Sequence, residues 1–244
     1  MKADGNIVID TKINSDGMQR GISEIKGSMT KLGGIVKGIG KAIITAFAIK
    51  QIVQFSKECL ELGSDLAEVQ NVVDVTFPSM TKQVDDFAKA AADSFGLSET
   101  MAKKYVGTFG AMSKSFGYSE SAAYDMATAL TGVTGDVASF YNLSQEEAYT
   151  KLKSVFTGET ESLKELGVVM TQSALDQYAL ANGFGKTTNK MTEQEKVALR
   201  LQFVQNQLSA ASGDFARTSD SWANQVRIFQ LRLQSLKATI GQGL

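Results

Sequence analysis

An all-α protein is predicted: a bundle of antiparallel helices with coiled-coil-like helices at both ends and one short N-terminal strand. Three observations carry that expectation. Pro78 is the only proline in 244 residues, so the residue that interrupts helices is nearly missing, while Ala, Leu, Lys, Glu and Gln abound. Apolar residues recur at steps of three and four along three separate stretches. A short motif that ends one helix and opens the next occurs repeatedly between residues 94 and 146. With 43% hydrophobic residues, the chain has enough apolar surface for one large core or two small ones.

Composition also narrows the chemistry. Histidine is absent, which removes the commonest general base and the commonest zinc ligand. Cys59 is the only cysteine, so no intramolecular disulfide can form and a reducing compartment fits best. The formal net charge of -1 conceals a polarity. Residues 1–60 carry nine Lys/Arg against five Asp/Glu, residues 217–244 carry four against one, and the middle holds twelve against twenty. Solvated helix faces are the expected reading of that distribution, with attraction of the basic ends to nucleic acid, anionic lipid or an acidic protein surface as the alternative. The polar start, Met1 to Asp10, is unlike a secretory signal. The most apolar window, "IVKGIGKAIITAFAI" at 35–49, contains Lys37 and Lys41 and falls short of a membrane span, so a buried or interfacial helix is expected there.

In chain order, "NIVIDTKI" at 6–13 alternates Ile7, Ile9 and Ile13 with polar residues, a strand pattern that needs a partner. From Met18 the period changes to that of a helical seam: Ile22, Ile25, Met29, Leu32, Val36, Ile39 and Ile43. Six glycines between Gly21 and Gly40 cost roughly 1 kcal/mol each relative to alanine, so this helix is expected to form only when packed.

Residues 51–158 read as successive amphipathic helices joined by an echo: "SFGLSE" at 94–99, "SFGYSE" at 115–120 and the looser "SFYNLSQE" at 139–146. Gly96 and Gly117 suit a left-handed helix stop. Leu97, Tyr118 and Leu143 can fold back on the last turn, and Ser98, Ser119 and Ser144 can cap the following helix. Ser144 and Glu147 have capping-box spacing. Connections this short give antiparallel neighbours. The helix over 98–115 is expected to bury Met101, Tyr105, Phe109 and Met112.

"ETESLKELG" reads as a short helix closed by Gly167. After the polar stretch "NGFGKTTNK", a long helix opens on the capping-box pair Thr192 and Glu195 and carries Val197, Leu201, Val204, Leu208 and Ala211. Gly213 is expected to end it and "DFARTSD" to turn the chain. The last helix then carries Trp222, Val226, Phe229, Leu233, Leu236 and Ile240, spaced four, three, four, three, four. That seam either packs back on the 191–211 helix or leads out of the domain. The expected organisation is an assembly segment at 1–59, a helical core at 60–215 and an outgoing heptad helix at 216–244.

Candidate chemistry is thin. "GFGKTT" at 183–188 lacks both the first glycine of a phosphate-binding loop, where Leu180 stands, and the strand before it. Glu161 followed by Ser162 is similar to the catalytic pair of lysozyme-like lytic transglycosylases, whose glutamate needs a hydrophobic pocket. The other residues of that family are not recognisable. Glu146 and Glu147 are adjacent, so they point in different directions from a helix and suit its first turn. Zinc-type and calcium-type ligand patterns are missing, and neither an enzyme nor a cofactor-dependent protein is expected.

Three segments in order, "LSQEEAYTKLKSVFTGETESLKELGVVMT" at 143–171, "MTEQEKVALRLQFVQNQ" at 191–207 and "GDFARTSDSWANQVRIFQLRLQSLKATIG" at 213–241, resemble the core of the tail tape measure proteins of long-tailed bacteriophages and prophages. The resemblance covers roughly residues 60–244. It implies a mostly helical structural protein that lies in the tail tube lumen of the virion, sets tail length during assembly in the host cytoplasm, and leaves when DNA is ejected. The partners it implies are the tail tube protein, tail-tip initiator proteins and tail assembly chaperones. The seams add an expectation of self-association through Ile22, Ile25, Met29, Leu32, Val36 and Ile39, and through Trp222, Val226, Phe229, Leu233, Leu236 and Ile240. DNA or membrane contact is expected only during ejection, and no small-molecule substrate. The chain is short for a whole ruler, so a fragment of a longer protein is expected. Two other readings stay open: a membrane-active helical secreted effector, from the basic window 35–49, and a cell-wall hydrolase-associated module, from Glu161.

Overall fold

The computed structural model describes residues 41–243, with side chains from Gln51 onward. The expected strand at 6–13 and the seam at 22–39 lie outside the described residues. What is described is all-α: α1 Lys41–Thr76, α2 Thr81–Phe95, α3 Glu99–Ser115, α4 Glu120–Phe140, α5 Gln145–Leu152, α6 Ser154–Thr157, α7 Glu161–Lys164, α8 Gln172–Ala181, a 3-10 turn Thr188–Lys190, α9 Glu193–Gln207, α10 Asp214–Thr218 and α11 Trp222–Gln242. No strand occurs among the described residues. They divide into two compact units, one of α1 up to Asp65 with α11 from Leu236, the other Leu66–Ser235.

Pro78 acts where a helix has to stop: it has no N–H to donate and disfavours helical geometry at Phe77. Lys114 reaches over from α3 to donate to the carbonyl of Thr76 at 2.8 Å, satisfying a helix-end acceptor. Five later helix ends, those of α2, α3, α4, α7 and α8, share one device. A residue with positive φ breaks the helix, and the next apolar residue donates its N–H back to the preceding helix. Gly96, Gly117, Gly167 and Gly183 take φ of 64°, 87°, 77° and 86°. Leu97, Tyr118, Val168 and Phe184 then bond back to Ala91, Ser113, Leu163 and Ala179 at 3.2, 3.3, 3.1 and 3.1 Å. In the third echo Asn142 takes the glycine's place, with φ 54°, and Leu143 bonds to Ala138 at 2.9 Å. Asparagine is the non-glycine residue best suited to that region.

The new helices open on the expected caps, although at Ser144 only half of the expected capping box forms and Glu147 pairs with Lys151 at 3.6 Å. Ser98, Ser119 and Ser144 accept from the N–H groups of Met101, Ala122 and Glu147 at 3.2, 3.3 and 3.2 Å. Thr192 and Glu195 form a complete capping box. One boundary differs from expectation. Helix α9 ends at Gln207, six residues before Gly213, and a run of turns leads to Gly213, where φ is 70°. "DFART" then forms α10 instead of a plain turn.

Within the 66–235 unit, α3 buries Tyr105 and Phe109 completely, with Met101 and Met112 half-buried at its edge. Tyr105 stacks on Tyr149 of α5 with centroids 4.1 Å apart, and Phe109 reaches both Tyr149 and Phe156. Helix α4 is enclosed, with eleven of its 21 residues buried. Two features make that enclosure possible. Gly135 lies against the carbonyl oxygen of Phe95, where a Cβ would collide. Asp136, 7% exposed, accepts from the backbone N–H groups of Gly213 at 2.7 Å and Phe215 at 3.2 Å. Burial pushes the Asp136 carboxyl above the ordinary carboxylate range, against the pull of those two N–H groups. Asp214 accepts from the Ser139 hydroxyl at 2.7 Å, so α10 is clasped onto α4 twice.

The other unit is held by a close pairing of α1 and α11. Backbone meets backbone at Gly63 and Gly241, where a side chain on either would collide with the facing helix. Lys237 donates to Glu58 at 2.7 Å and lies over the Phe55 ring at 5.6 Å, which leaves Cys59 and Ala238 fully buried.

Gly135→Ala tests the enclosure of α4. The added methyl meets backbone that cannot swing aside, so unfolding free energy is expected to fall by about 1–3 kcal/mol despite alanine's better helix propensity. Urea unfolding followed by circular dichroism measures it, and an unchanged or higher midpoint would refute the close contact.

Candidate assembly face

Helix α11 begins on a polar hinge. The Ser221 hydroxyl accepts from the Asn224 N–H at 3.3 Å, and the Asn224 amide donates to the carbonyl and the hydroxyl of Thr218, both at 2.9 Å. Asn224 thereby joins α11 to α10 and fixes the rotation of the new helix. Within the 66–235 unit the inward side of α11 carries Asn224, Ile228 and Leu231, all buried. At the border of that face Arg232 donates to Asp93 of α2 at 2.7 Å.

The seam expected from the sequence is two residues out of phase with that face. An offset of two positions turns about 200° around an α-helix, which places one stripe diametrically opposite the other. Trp222 is 84% exposed, Phe229 68%, Leu233 41% and Leu236 56%, with Val226 and Ile240 half-buried. The stripe is therefore not spent on the 191–211 region: Val197, Val204, Leu208 and Ala211 are buried there and Leu201 is partly so, without it. Large apolar side chains left exposed in register mark a surface that water disfavours. The other expected seam, Ile22, Ile25, Met29, Leu32, Val36 and Ile39, falls outside the described residues.

The remaining candidates resolve into structural roles. Glu161 projects into solvent with its side chain 74% exposed and pairs with Lys164 at 2.6 Å, without a hydrophobic pocket around it. Glu159 accepts from the N–H of Ser162 at 3.2 Å, and its hydrogen bonds to Ser162 and Glu161 hold its carboxyl below the usual range. Glu146 pairs with Lys104 at 3.0 Å and Glu147 with Lys151 at 3.6 Å, on different sides of α5. In "GFGKTT", Lys186 binds Glu195 at 2.7 Å, and Thr188 donates both its N–H and its hydroxyl to Asp176 at 2.7 Å. That segment is a pinned turn. Among the described residues no group of three His, Cys, Asp or Glu side chains could hold a metal ion, and no helix is long and apolar enough to cross a membrane.

One surface feature was not anticipated from the sequence. An open groove of about 480 Å³ between α8 and α9 is lined by Val169, Ala174, Tyr178 and Phe203, with Val169 53% exposed. Val169 lies two residues after Gly167 in an irregular segment, where no periodicity reports which side chains face outward. Comparison of the chain with protein-family models, curated proteins and solved structures finds no match.

Single alanine substitutions separate the two stripes of α11. Ile228→Ala and Leu231→Ala each remove a buried side chain and are expected to cost about 2 kcal/mol or more. Phe229→Ala, pointing into solvent, is expected to stay within about 0.5 kcal/mol of the parent. Denaturant midpoints of the three variants at low protein concentration check this, and the reverse order would show that the helix is rotated.

Proposed function

We propose that the chain is a structural and assembly protein of a long-tailed bacteriophage tail. In this reading it is the N-terminal part of a tape measure that occupies the tail tube lumen and sets tail length. One observation carries the proposal most: α11 packs through one face and presents Trp222, Val226, Phe229 and Leu233, in heptad spacing, on the opposite face. A helix with a second apolar seam is suited to join other helices as an assembly grows. The ordered resemblance of the segments at 143–171, 191–207 and 213–241 supports the same reading, and they correspond to α5–α7, α9 and α10–α11.

On this proposal the partners are the tail tube protein, the tail-tip initiator proteins and the tail assembly chaperones, and the location is the virion tail after assembly in the host cytoplasm. The role needs no catalytic group or cofactor. Its mechanism is geometric: an extended helix advances about 1.5 Å per residue, so chain length converts to tail length. The test is an in-frame deletion of the 21-residue α11 in the phage or prophage gene that encodes this chain, with tails measured by electron microscopy. Tails shorter by about 30 Å, or failure to assemble tails, are expected. Tails of unchanged length and number would overturn the ruler role.

A further inference from the structure

We infer that the exposed face of α11 pairs with the same face of a second copy of this chain, as a parallel, in-register, two-stranded coiled coil. This inference stands on the geometry of α11 and does not depend on the tail reading. In heptad notation Val226, Leu233 and Ile240 occupy a positions and Trp222, Phe229 and Leu236 occupy d positions. All six are apolar, and two of the three a residues are β-branched, the arrangement that favours two parallel strands.

Charge selects the occupant. The flanking e and g positions from Trp222 to Ile240 are Ala223, Gln225, Gln230, Arg232, Lys237 and Thr239. Four carry no charge, and Arg232 and Lys237 already bind Asp93 and Glu58, each at 2.7 Å. A different helical partner is normally selected by opposite charges at those positions. A flank whose charges are already paired within the chain offers no such selection, and Arg232 and Lys237, which face each other across a parallel pair, are each held by a carboxylate of their own chain.

Area is consistent with this choice. Trp222, Phe229, Leu233 and Leu236, exposed at 84%, 68%, 41% and 56%, leave roughly 500 Å² of apolar surface in water, near the upper end for a monomer. Two copies facing each other cover on the order of 1,000 Å², the size at which an interface becomes specific. In register, Trp222 meets Trp222 and Phe229 meets Phe229 of the second copy, concentrating aromatic contact at one end of the seam.

Sedimentation equilibrium of the purified full chain tests the pairing. A species of twice the 26.2 kDa chain mass is expected. Phe229→Asp is expected to raise the dissociation constant at least 100-fold while leaving the helical circular dichroism unchanged, because Phe229 is 68% exposed. Trp222→Cys tests direction. A parallel pair places the two thiols side by side, so mild oxidation yields a disulfide-linked dimer, while the unsubstituted chain, whose Cys59 is fully buried, yields none. A chain that stays monomeric, association that survives Phe229→Asp, a trimer or larger species, or a failure of Trp222→Cys to cross-link would each overturn the proposal.

Discussion

The enclosure of α4 is the constraint on which the larger unit depends. A helix surrounded by protein has to satisfy its polar side chains without water and let its neighbours approach closely. Thr131 and Thr134 do so by bonding back to the carbonyls of Ala127 and Leu130, both at 2.8 Å. Asp136 does so by accepting from the start of α10, and Gly135 by yielding the space that Phe95 occupies. The last two solutions each bind a different neighbour. Gly135 fixes the approach of the α2 C-terminus, and Asp136 fixes α10, which otherwise would be five residues of exposed turn.

The orientation of the candidate face follows from that clasp. Helix α10 is too short to be stable alone. Held on α4 by Asp136 and Ser139, with Phe215 fully buried against Gly96, it becomes a fixed platform. Asn224 hangs α11 from the end of that platform through Thr218. The rotation of α11 is set there, and with it the choice of Ile228 and Leu231 as the inward side. Trp222 and Phe229 are outward because the polar hinge at Asn224, one short helix away from α4, turns Ile228 and Leu231 inward instead.

That arrangement bears on what the surface is for. Burying a large apolar side chain contributes about 1.5–3 kcal/mol, so a fold that leaves Trp222 and Phe229 in water forgoes stability it could have gained by turning the helix. The forgone burial remains available to a partner. The acidic and basic side chains considered for catalysis are instead occupied in ion pairs: Glu161 with Lys164, Glu146 with Lys104, Glu147 with Lys151 and Lys186 with Glu195.

Local chemistry was legible wherever a boundary depends on a few adjacent residues. Ser98, Ser119, Ser144 and Thr192 announce helix starts, Gly96 and Gly117 announce stops, and each effect acts within one turn of the chain. Asn142 was less visible, because asparagine takes left-handed geometry only sometimes. The end of α9 was misread because the apolar period runs through Leu208 and Ala211, which remain buried after the helix has stopped. By itself, then, the sequence determined that the chain is helical, where most helices begin and end, and that α11 carries a seam. Which stripe of α11 turns inward was decided only by the tertiary structure. Both stripes have helical spacing, and the free energy of burying either depends on what surface, brought there by distant parts of the chain, stands opposite.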